Sequence, residues 1–93
     1  MRDLTHAIGR KHAMAIVNRI GRSSPAYFSD LQRELEIGPS TLADTLQELE
    51  QVGLVSRLVR DDTPPRSEYR LTAAGQTLQA RLRPFLETVS RMR

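Results

Sequence analysis

This 93-residue chain contains a cluster of short hydrogen-bonding side chains that could do chemistry. Ser40, Thr41, Asp44 and Thr45 follow Pro39 at the start of a segment with helical spacing. Hydroxyl and carboxylate groups near a helix start can form hydrogen bonds with base edges in the major groove of DNA. The same groups are also frequent as helix caps and solvated surface. These five residues are therefore candidate DNA contacts, with an ordinary polar helix surface as the alternative.

Arginines on either side of a turn form a second group of candidates. Arg60 and Arg66 flank residues 61–65, which contain two acids and two prolines. Guanidinium groups placed there could reach phosphates or the minor groove. Cross-strand pairing of Arg60 or Arg70 with Glu68 is the competing interpretation. We predict DNA contact for Arg60 and Arg66, with Arg66 as the best single candidate.

No set of residues predicts catalysis or metal binding. His6 and His12 are six positions apart, whereas two ligands on one helix face need a spacing of three or four. The chain contains no cysteine, which excludes disulfides, thiolate zinc sites and thiol redox switches. Its acidic pairs lack a companion nucleophile or a Gly-rich phosphate loop. We therefore expect no enzyme activity, no cofactor and no metal.

The third helix is expected to carry the first group of candidates. It should begin at Pro39, which suits a first helical turn, and end near Gln51, because Gly53 suits a left-handed helix end. Its apolar stripe is expected to consist of Leu42, Ala43, Leu46, Leu49 and Val52. The residues left facing solvent would be Ser40, Thr41, Asp44, Thr45, Gln47 and Glu48.

A β-hairpin is expected to carry the arginines. Residues 54–60 are rich in β-formers, residues 61–66 form a turn, and residues 67–71 alternate with a period of two. We expect Tyr69 and Leu71 to face inward, with Glu68 and Arg70 outward. Thr72 then precedes a long run of helix formers and should cap a last helix.

Two helices are expected before the third. Residues 4–20 have apolar residues near helical spacing and should form the first helix, ended by Gly21. Residues 23–26 should form a turn, and a capping box over residues 29–32 should open a short second helix. The turn at residues 37–40 would then join the second and third helices as a helix-turn-helix.

The last helix, from residue 73, has an apolar stripe that must be covered by another surface to be shielded from solvent. Pro84 should kink or restart this helix. The stripe could pack on the chain's own core, but that core is small, so we favour the same helix of a second copy. The predicted dimer interface consists of Leu4, Ile8, Leu78, Leu82, Phe85, Leu86 and Val89.

Charge is divided unevenly along the chain. The formal net charge is +3 and the pI is about 10.2, which favours a polyanionic partner. Residues 1–22 carry five basic residues and one acidic residue, whereas residues 23–53 carry one basic and six acidic residues. Acids on the third helix would repel phosphates, although a carboxylate such as that of Asp44 can accept from cytosine N4. The acidic middle therefore argues against strong DNA affinity through the helix alone.

The hairpin region also carries a family resemblance. The run LxELExxGLVxR…PPRxEYxLTxxGxxL, at residues 46–57 and 64–78, closely resembles the HxlR family of winged-helix transcription regulators, a branch near the MarR regulators. The resemblance implies a dimeric DNA-binding regulator whose third helix enters the major groove and whose first and last helices form the dimer. That family usually has a tryptophan at the position of His12, often a cysteine near the N-terminus, and often a basic residue near Asp44. This chain departs from the family at all three points, so thiol sensing is not expected.

Together these features predict an α+β fold, mostly α: a winged helix-turn-helix of three helices, a β-hairpin wing and a C-terminal helix, in one domain over residues 1–93. The predicted function is a dimeric, sequence-specific DNA-binding transcription regulator that represses by promoter occlusion. The alternative is a winged-helix module for protein contact, with weak or no DNA binding. Expected partners are double-stranded DNA, a second copy and an unidentified small-molecule effector. The sequence shows no membrane span or targeting segment, and we expect a cytoplasmic location.

Overall fold

The computed structural model describes residues 4–92, without the side chains of residues 4, 5, 8, 86 and 90. Its elements in chain order are α1 (Leu4–Gly9), α2 (Ala13–Arg22), β1 (Ala26–Tyr27), α3 (Phe28–Leu35), α4 (Pro39–Gln51), β2 (Val55–Arg60), β3 (Arg66–Leu71) and α5 (Ala73–Arg91). The antiparallel strands β2 and β3 form the predicted hairpin, and β1 pairs with the other edge of β3. The predicted fold class is confirmed: α3 and α4 form a helix-turn-helix, and β2 and β3 form the wing.

The prediction of one first helix over residues 4–20 is wrong, because this region forms two helices. His12 has a left-handed backbone with φ 76°, which a right-handed helix cannot continue. The second helix also does not end at Gly21 but runs on to Arg22. A Cβ on Gly21 would lie only 2.7 Å from Cγ of Gln79 in α5. Gly21 therefore allows close packing of α2 on α5 and does not act as a helix stop.

The segment between α2 and α4 also differs from the prediction. Part of the predicted turn is the short strand β1, whose Ala26 and Tyr27 pair with β3. The predicted capping box over residues 29–32 is wrong, because the N-cap is Tyr27 and α3 begins at Phe28, two residues earlier than a box opened by Ser29 would place it. Its N-terminus is capped instead by Asp30, whose carboxylate accepts from the backbone N–H of Tyr27 at 3.4 Å. The pairing of β1 sets where the helix can start, and local sequence does not report that pairing.

The boundaries of α4 and α5 are close to those predicted. Pro39 lies in the first turn of α4, and Gly53 has the expected left-handed backbone, with φ 83°. Thr72 Oγ1 accepts from the N–H of Gly75 at 3.1 Å, as an N-cap does, and also donates to the carbonyl of Gly53 at 2.5 Å. The hydroxyl of Thr72 therefore joins the end of α4 to the start of α5. The last helix runs through Pro84, so of the two predicted effects of this proline, a kink or a restart, the restart does not occur.

The core lies between the helices and the inner face of the wing. The largest apolar side chains that are fully buried there are Ile16, Ile20, Leu31, Leu42, Leu46, Leu49 and Val55. A bidentate ion pair between Arg19 of α2 and Glu34 of α3 closes one side of this core, with N–O distances of 2.7 and 3.1 Å. The hydrogen bond from Arg19 lowers the pKa of the Glu34 carboxyl below its usual range. This pair helps to hold α3, the first helix of the helix-turn-helix, against α2.

Candidate nucleic-acid interface

The N-terminal half of α4 presents a row of exposed polar residues. Ser40, Thr41 and Asp44 are exposed, as predicted, and Pro39 before them is exposed as well. Pro39 fills a position where a backbone N–H would have no partner inside the helix, so the helix start stays open toward solvent. The exposed row continues along the helix with Gln47, which was predicted to face solvent but was not named as a contact. These side chains could approach a groove together.

Thr45 does not belong to this row, and its predicted exposure is wrong. Its side chain is fully buried, and its hydroxyl donates to the carbonyl of Thr41 at 2.7 Å. Ala43, predicted to face inward, is exposed instead. The buried sector of α4 is therefore rotated and wider than the apolar stripe indicated, because α1 covers a second side of this helix. A threonine can be buried there since its hydroxyl finds a partner within the helix.

Glu48 was also predicted to face solvent, and it is 1% exposed. Its carboxylate accepts a hydrogen bond from Arg10 Nη1 at 2.9 Å and contacts Nδ1 of His6. A buried carboxylate is tolerable only when it is paired and hydrogen-bonded. The contacts tie α4 to α1 and to the segment after it, so Glu48 fixes how α4 sits on the rest of the fold. Sequence spacing alone could not separate this acid from a solvated one.

On the wing, two arginines converge on one buried acid. Arg60 Nη1 lies 3.2 Å from Glu68 Oε2, and Arg70 Nη2 lies 3.6 Å from Glu68 Oε1. The predicted outward position of Arg70 is confirmed, but Glu68 is 4% exposed and not solvated. Because β3 is the central strand, with β1 on one side and β2 on the other, neighbouring side chains cover its outward face as well. Both predicted ion pairs with Glu68 are therefore present in the structure, but only that of Arg60 crosses between strands, because Arg70 lies on β3 itself.

Arg66 lies at the start of β3 in a different setting. Its Nε lies 3.2 Å from Asp62 Oδ2 across the turn, and its Cζ lies 4.3 Å from the ring centroid of Tyr27. Cation–π contact of this kind holds a guanidinium flat against an aromatic face. The side chain remains 54% exposed, so it can still meet a ligand. Tyr27 was not predicted as part of the site, because the strand that carries it was missed.

A cleft of about 550 Å³ separates α4 from the inner face of the wing. Its lining residues are Ala43, Gln47, Glu50, Gln51, Arg57 and Tyr69. Burial raises the pKa of the Tyr69 phenol, so this group stays a neutral hydrogen-bond donor. Arg57 Nε lies 3.9 Å from Glu50 Oε2 across the cleft. The cleft is thus lined mainly by polar side chains from α4 and from the wing.

The predicted dimer residues fall into three groups. Leu78 packs against the core, which supports intramolecular packing for that residue. Further along α5, Leu82 is half-buried, while Phe85 is 61% and Val89 41% exposed. The side chains of Leu4, Ile8 and Leu86 lie outside the described residues. The C-terminal half of α5 therefore carries large apolar side chains that the described chain leaves uncovered.

Within residues 4–92, no group of three His, Cys, Asp or Glu side chains could hold a metal ion. In the same part of the chain, no helix is both long enough and apolar enough to cross a bilayer.

A helix-turn-helix followed by a two-stranded wing defines the winged helix-turn-helix class. A family model described as HxlR-like helix-turn-helix matches residues 7–92. The chain therefore belongs to the HxlR-like helix-turn-helix family, which confirms the resemblance found in the hairpin motif. Its relatives are named as regulators and not as enzymes, in agreement with the prediction made from the sequence.

Individual relatives agree with this assignment. The chain is 39% identical over 72 residues to an uncharacterized HTH-type transcriptional regulator of Halalkalibacterium halodurans, covering 76% of this chain and 64% of that protein. It is 45% identical over 53 residues to one of Mycobacterium tuberculosis, covering 57% of this chain and 34% of that protein. The chain thus spans between about a third and two thirds of the length of these two relatives.

Solved structures show the same fold. A possible HxlR family transcriptional factor from Thermoplasma volcanium superposes with a TM-score of 0.83 at 27% identity, covering 98% of this chain and 82% of that one. The putative transcriptional regulator ytfH from Salmonella typhimurium gives a TM-score of 0.82 at 27% identity, covering 90% and 75%. The helix-turn-helix and wing described above are therefore shared with other regulators.

Proposed function

We propose that this chain is a sequence-specific DNA-binding transcription regulator that works as a homodimer and represses by occluding a promoter. The observations that carry the proposal are the exposed N-terminal half of α4 and the three half-exposed arginines on the outer face of the wing that follows it. A helix of this kind reads base edges, and basic side chains beside it bind phosphates and fix the register. Membership of the HxlR-like family supports the same function.

Base contact would come from Ser40, Thr41 and Asp44 on α4. Hydroxyls can donate to or accept from several bases, whereas a carboxylate can accept only, and in the major groove it fits cytosine N4. Asp44 would thereby reject the base pairs that present an acceptor at the same place. Its negative charge lowers overall affinity and raises discrimination, so the phosphate contacts must come from elsewhere.

Those phosphate contacts would come from the wing, with Arg60 and Arg66 as the main ones. Each guanidinium has five N–H donors, and its ion pair with an acid uses only part of them. More than half of the Arg60 and Arg66 side chains remains exposed, at 52% and 54%. The exposed N–H groups can therefore bind phosphate while the acid contacts hold each side chain in place.

Dimer formation would use the C-terminal half of α5. Phe85 and Val89 are exposed on this helix end, at 61% and 41%, and Met92 directly after the helix is 80% exposed. A second copy of the same helix would cover them through a two-fold symmetric contact. Two α4 helices of one dimer would then meet half-sites about 34 Å apart, one turn of DNA. A small molecule that altered this spacing would act as an effector.

Arg66→Ala tests the wing contribution to DNA binding. We expect weaker binding to duplex DNA and a decrease of about one in the slope of log affinity against log salt, because one phosphate contact is lost. Arg33→Ala is the matched control: it removes the same charge from α3, where the side chain is 69% exposed and pairs with Asp30. Fluorescence anisotropy at several salt concentrations measures both. Equal slopes for the two variants and the wild type would refute the wing contact.

A second candidate function is a winged helix that contacts a protein. The acidic residues of α4 favour it, since Asp44 and Glu50 are exposed and would repel phosphates. The two functions differ in salt dependence. The absence of any complex between the protein and the DNA upstream of its own gene at low salt would favour the protein-contact function, because non-specific DNA binding is strongest at low salt.

A further inference from the structure

The outer face of the wing contains an acid that the DNA-binding function does not explain. Glu68 is 4% exposed and lies on β3 with Leu58 of β2 on one side and Tyr27 of β1 on the other. An acid beside a phosphate-binding surface weakens binding if it acts only through its charge. Burying it also carries a desolvation cost that a neutral residue would avoid. Its contacts indicate another role.

The carboxylate of Glu68 is the centre of a single network. Its Oε2 lies 3.2 Å from Arg60 Nη1 and accepts from the hydroxyl of Tyr27 at 3.5 Å. Its Oε1 lies 3.6 Å from Arg70 Nη2. The ring of that same tyrosine lies beneath Arg66, 4.3 Å from its Cζ. One acid thus contacts two arginines directly, and it also contacts Tyr27, the residue on which the third arginine packs.

The strand register explains why such a centre is needed. Arg60 and Arg66 are paired directly across β2 and β3, where like charges repel. Arg60 and Arg70 flank Glu68 on the same outward face. Without a counter-charge, these long side chains would spread apart into solvent and sample many rotamers. Ordering each of them on binding would then cost free energy.

We infer that Glu68 is a positioning residue that holds Arg60 and Arg70, and through Tyr27 also Arg66, as a preorganised phosphate-binding face. The inference rests on the proposed DNA-binding function and adds the residue that organises its phosphate contacts. Each arginine keeps about half of its side chain exposed, so its free N–H groups point to a partner outside the sheet. The partner is a run of phosphates, and binding to this face does not depend on the base sequence.

Glu68→Gln separates positioning from charge, because it removes the charge with little change in shape. Positioning predicts that affinity for a short mixed-sequence duplex falls by about tenfold, since two arginines must be ordered on binding. A pure charge effect predicts tighter binding. Asp61→Asn is the matched control, because it removes an exposed acid from the turn of the same hairpin. This variant should bind slightly more tightly than wild type.

A double-mutant cycle makes the test specific to the network. Arg60→Ala should weaken binding to the mixed-sequence duplex by several-fold when it is made in the wild-type chain. The same substitution should weaken binding much less when it is made in the Glu68→Gln variant, because Arg60 is already disordered in that variant. Equal effects in both backgrounds would overturn the positioning role. If Glu68→Gln does not fold, Tyr27→Leu provides the second variant, because it removes the ring beneath Arg66. We expect Tyr27→Leu to lose as much affinity for the duplex as Arg66→Ala does. Unchanged binding would overturn the inference.

Failure of DNA binding and failure of the positioning role give different results. A wild-type chain that does not bind the duplex at low salt would contradict DNA binding itself. A wild-type chain that binds, together with a Glu68→Gln variant that binds as tightly or more tightly, would contradict only the positioning role.

Discussion

Gly75→Ala is expected to lower the free energy of unfolding by about 3 kcal/mol or more, the upper range for overpacking a core. A Cβ at this position would lie 2.1 Å from the carbonyl oxygen of Leu54 and 3.2 Å from Cβ of Leu71. That carbonyl cannot simply move away, because it accepts the backbone N–H of Thr72 at 3.1 Å. The first turn of α5 and the start of the wing would have to separate. Denaturant unfolding measures the loss.

Gly9→Ala is the control for this prediction. Gly9 is also helical, but nothing lies within 4 Å of a Cβ placed there. Alanine in an open helical position is expected to stabilise by about 0.5–1 kcal/mol, because it restricts the unfolded chain. Similar unfolding midpoints for the two variants would contradict the close approach of α5 to Leu54.

Arg10→Met is expected to cost about 2 kcal/mol, the scale of a hydrogen bond to a charged group. Arg10 donates to Glu48 at 2.9 Å, and the side chain of that acid is 0% exposed. Removing the arginine leaves a buried carboxylate with one fewer cation, so the contact between α4 and the N-terminal part of the chain weakens. Arg33→Met, on an exposed pair with Asp30, should change stability by less than about 1 kcal/mol.

The double variant gives a sharper result. Arg10→Met combined with Glu48→Leu is expected to be more stable than Arg10→Met alone, because the buried charge is removed together with its partner. Chemical unfolding of the wild type and the three variants closes the cycle. A double variant that loses the sum of the two single effects would show that the two side chains do not act as a pair.

Features that depend on a few neighbouring residues could be predicted from the sequence. Gly53 and Thr72 mark helix boundaries through their own backbone and side-chain preferences. Gly53 has the expected left-handed backbone after α4, and Thr72 caps α5 as expected. Pro39 opens α4 for the same reason. The hairpin follows from alternation and from a turn that cannot extend a strand. Such signals do not require knowledge of the rest of the fold.

Features set by distant contacts could not be predicted in this way. Thr45 and Glu48 are polar by type, yet both are buried, because partners from Thr41 and Arg10 satisfy them. Strand β1 has only two residues and exists through its pairing with β3. Its absence from the prediction also hid Tyr27 and the covered outer face around Glu68. Among the candidate contacts, Pro39, Ser40, Thr41, Asp44, Arg60 and Arg66 remain proposals, and Thr45 is withdrawn.

In vitro selection from a pool of random-sequence duplexes tests the central claim most directly. A sequence-specific regulator should enrich a recurring motif over successive rounds, and a dimer should give two related half-sites with centres about 10 base pairs apart. The selected DNA should bind at least about 1,000-fold more tightly than the starting pool at physiological salt. A pool that stays random while the folded chain is present would contradict sequence-specific DNA binding.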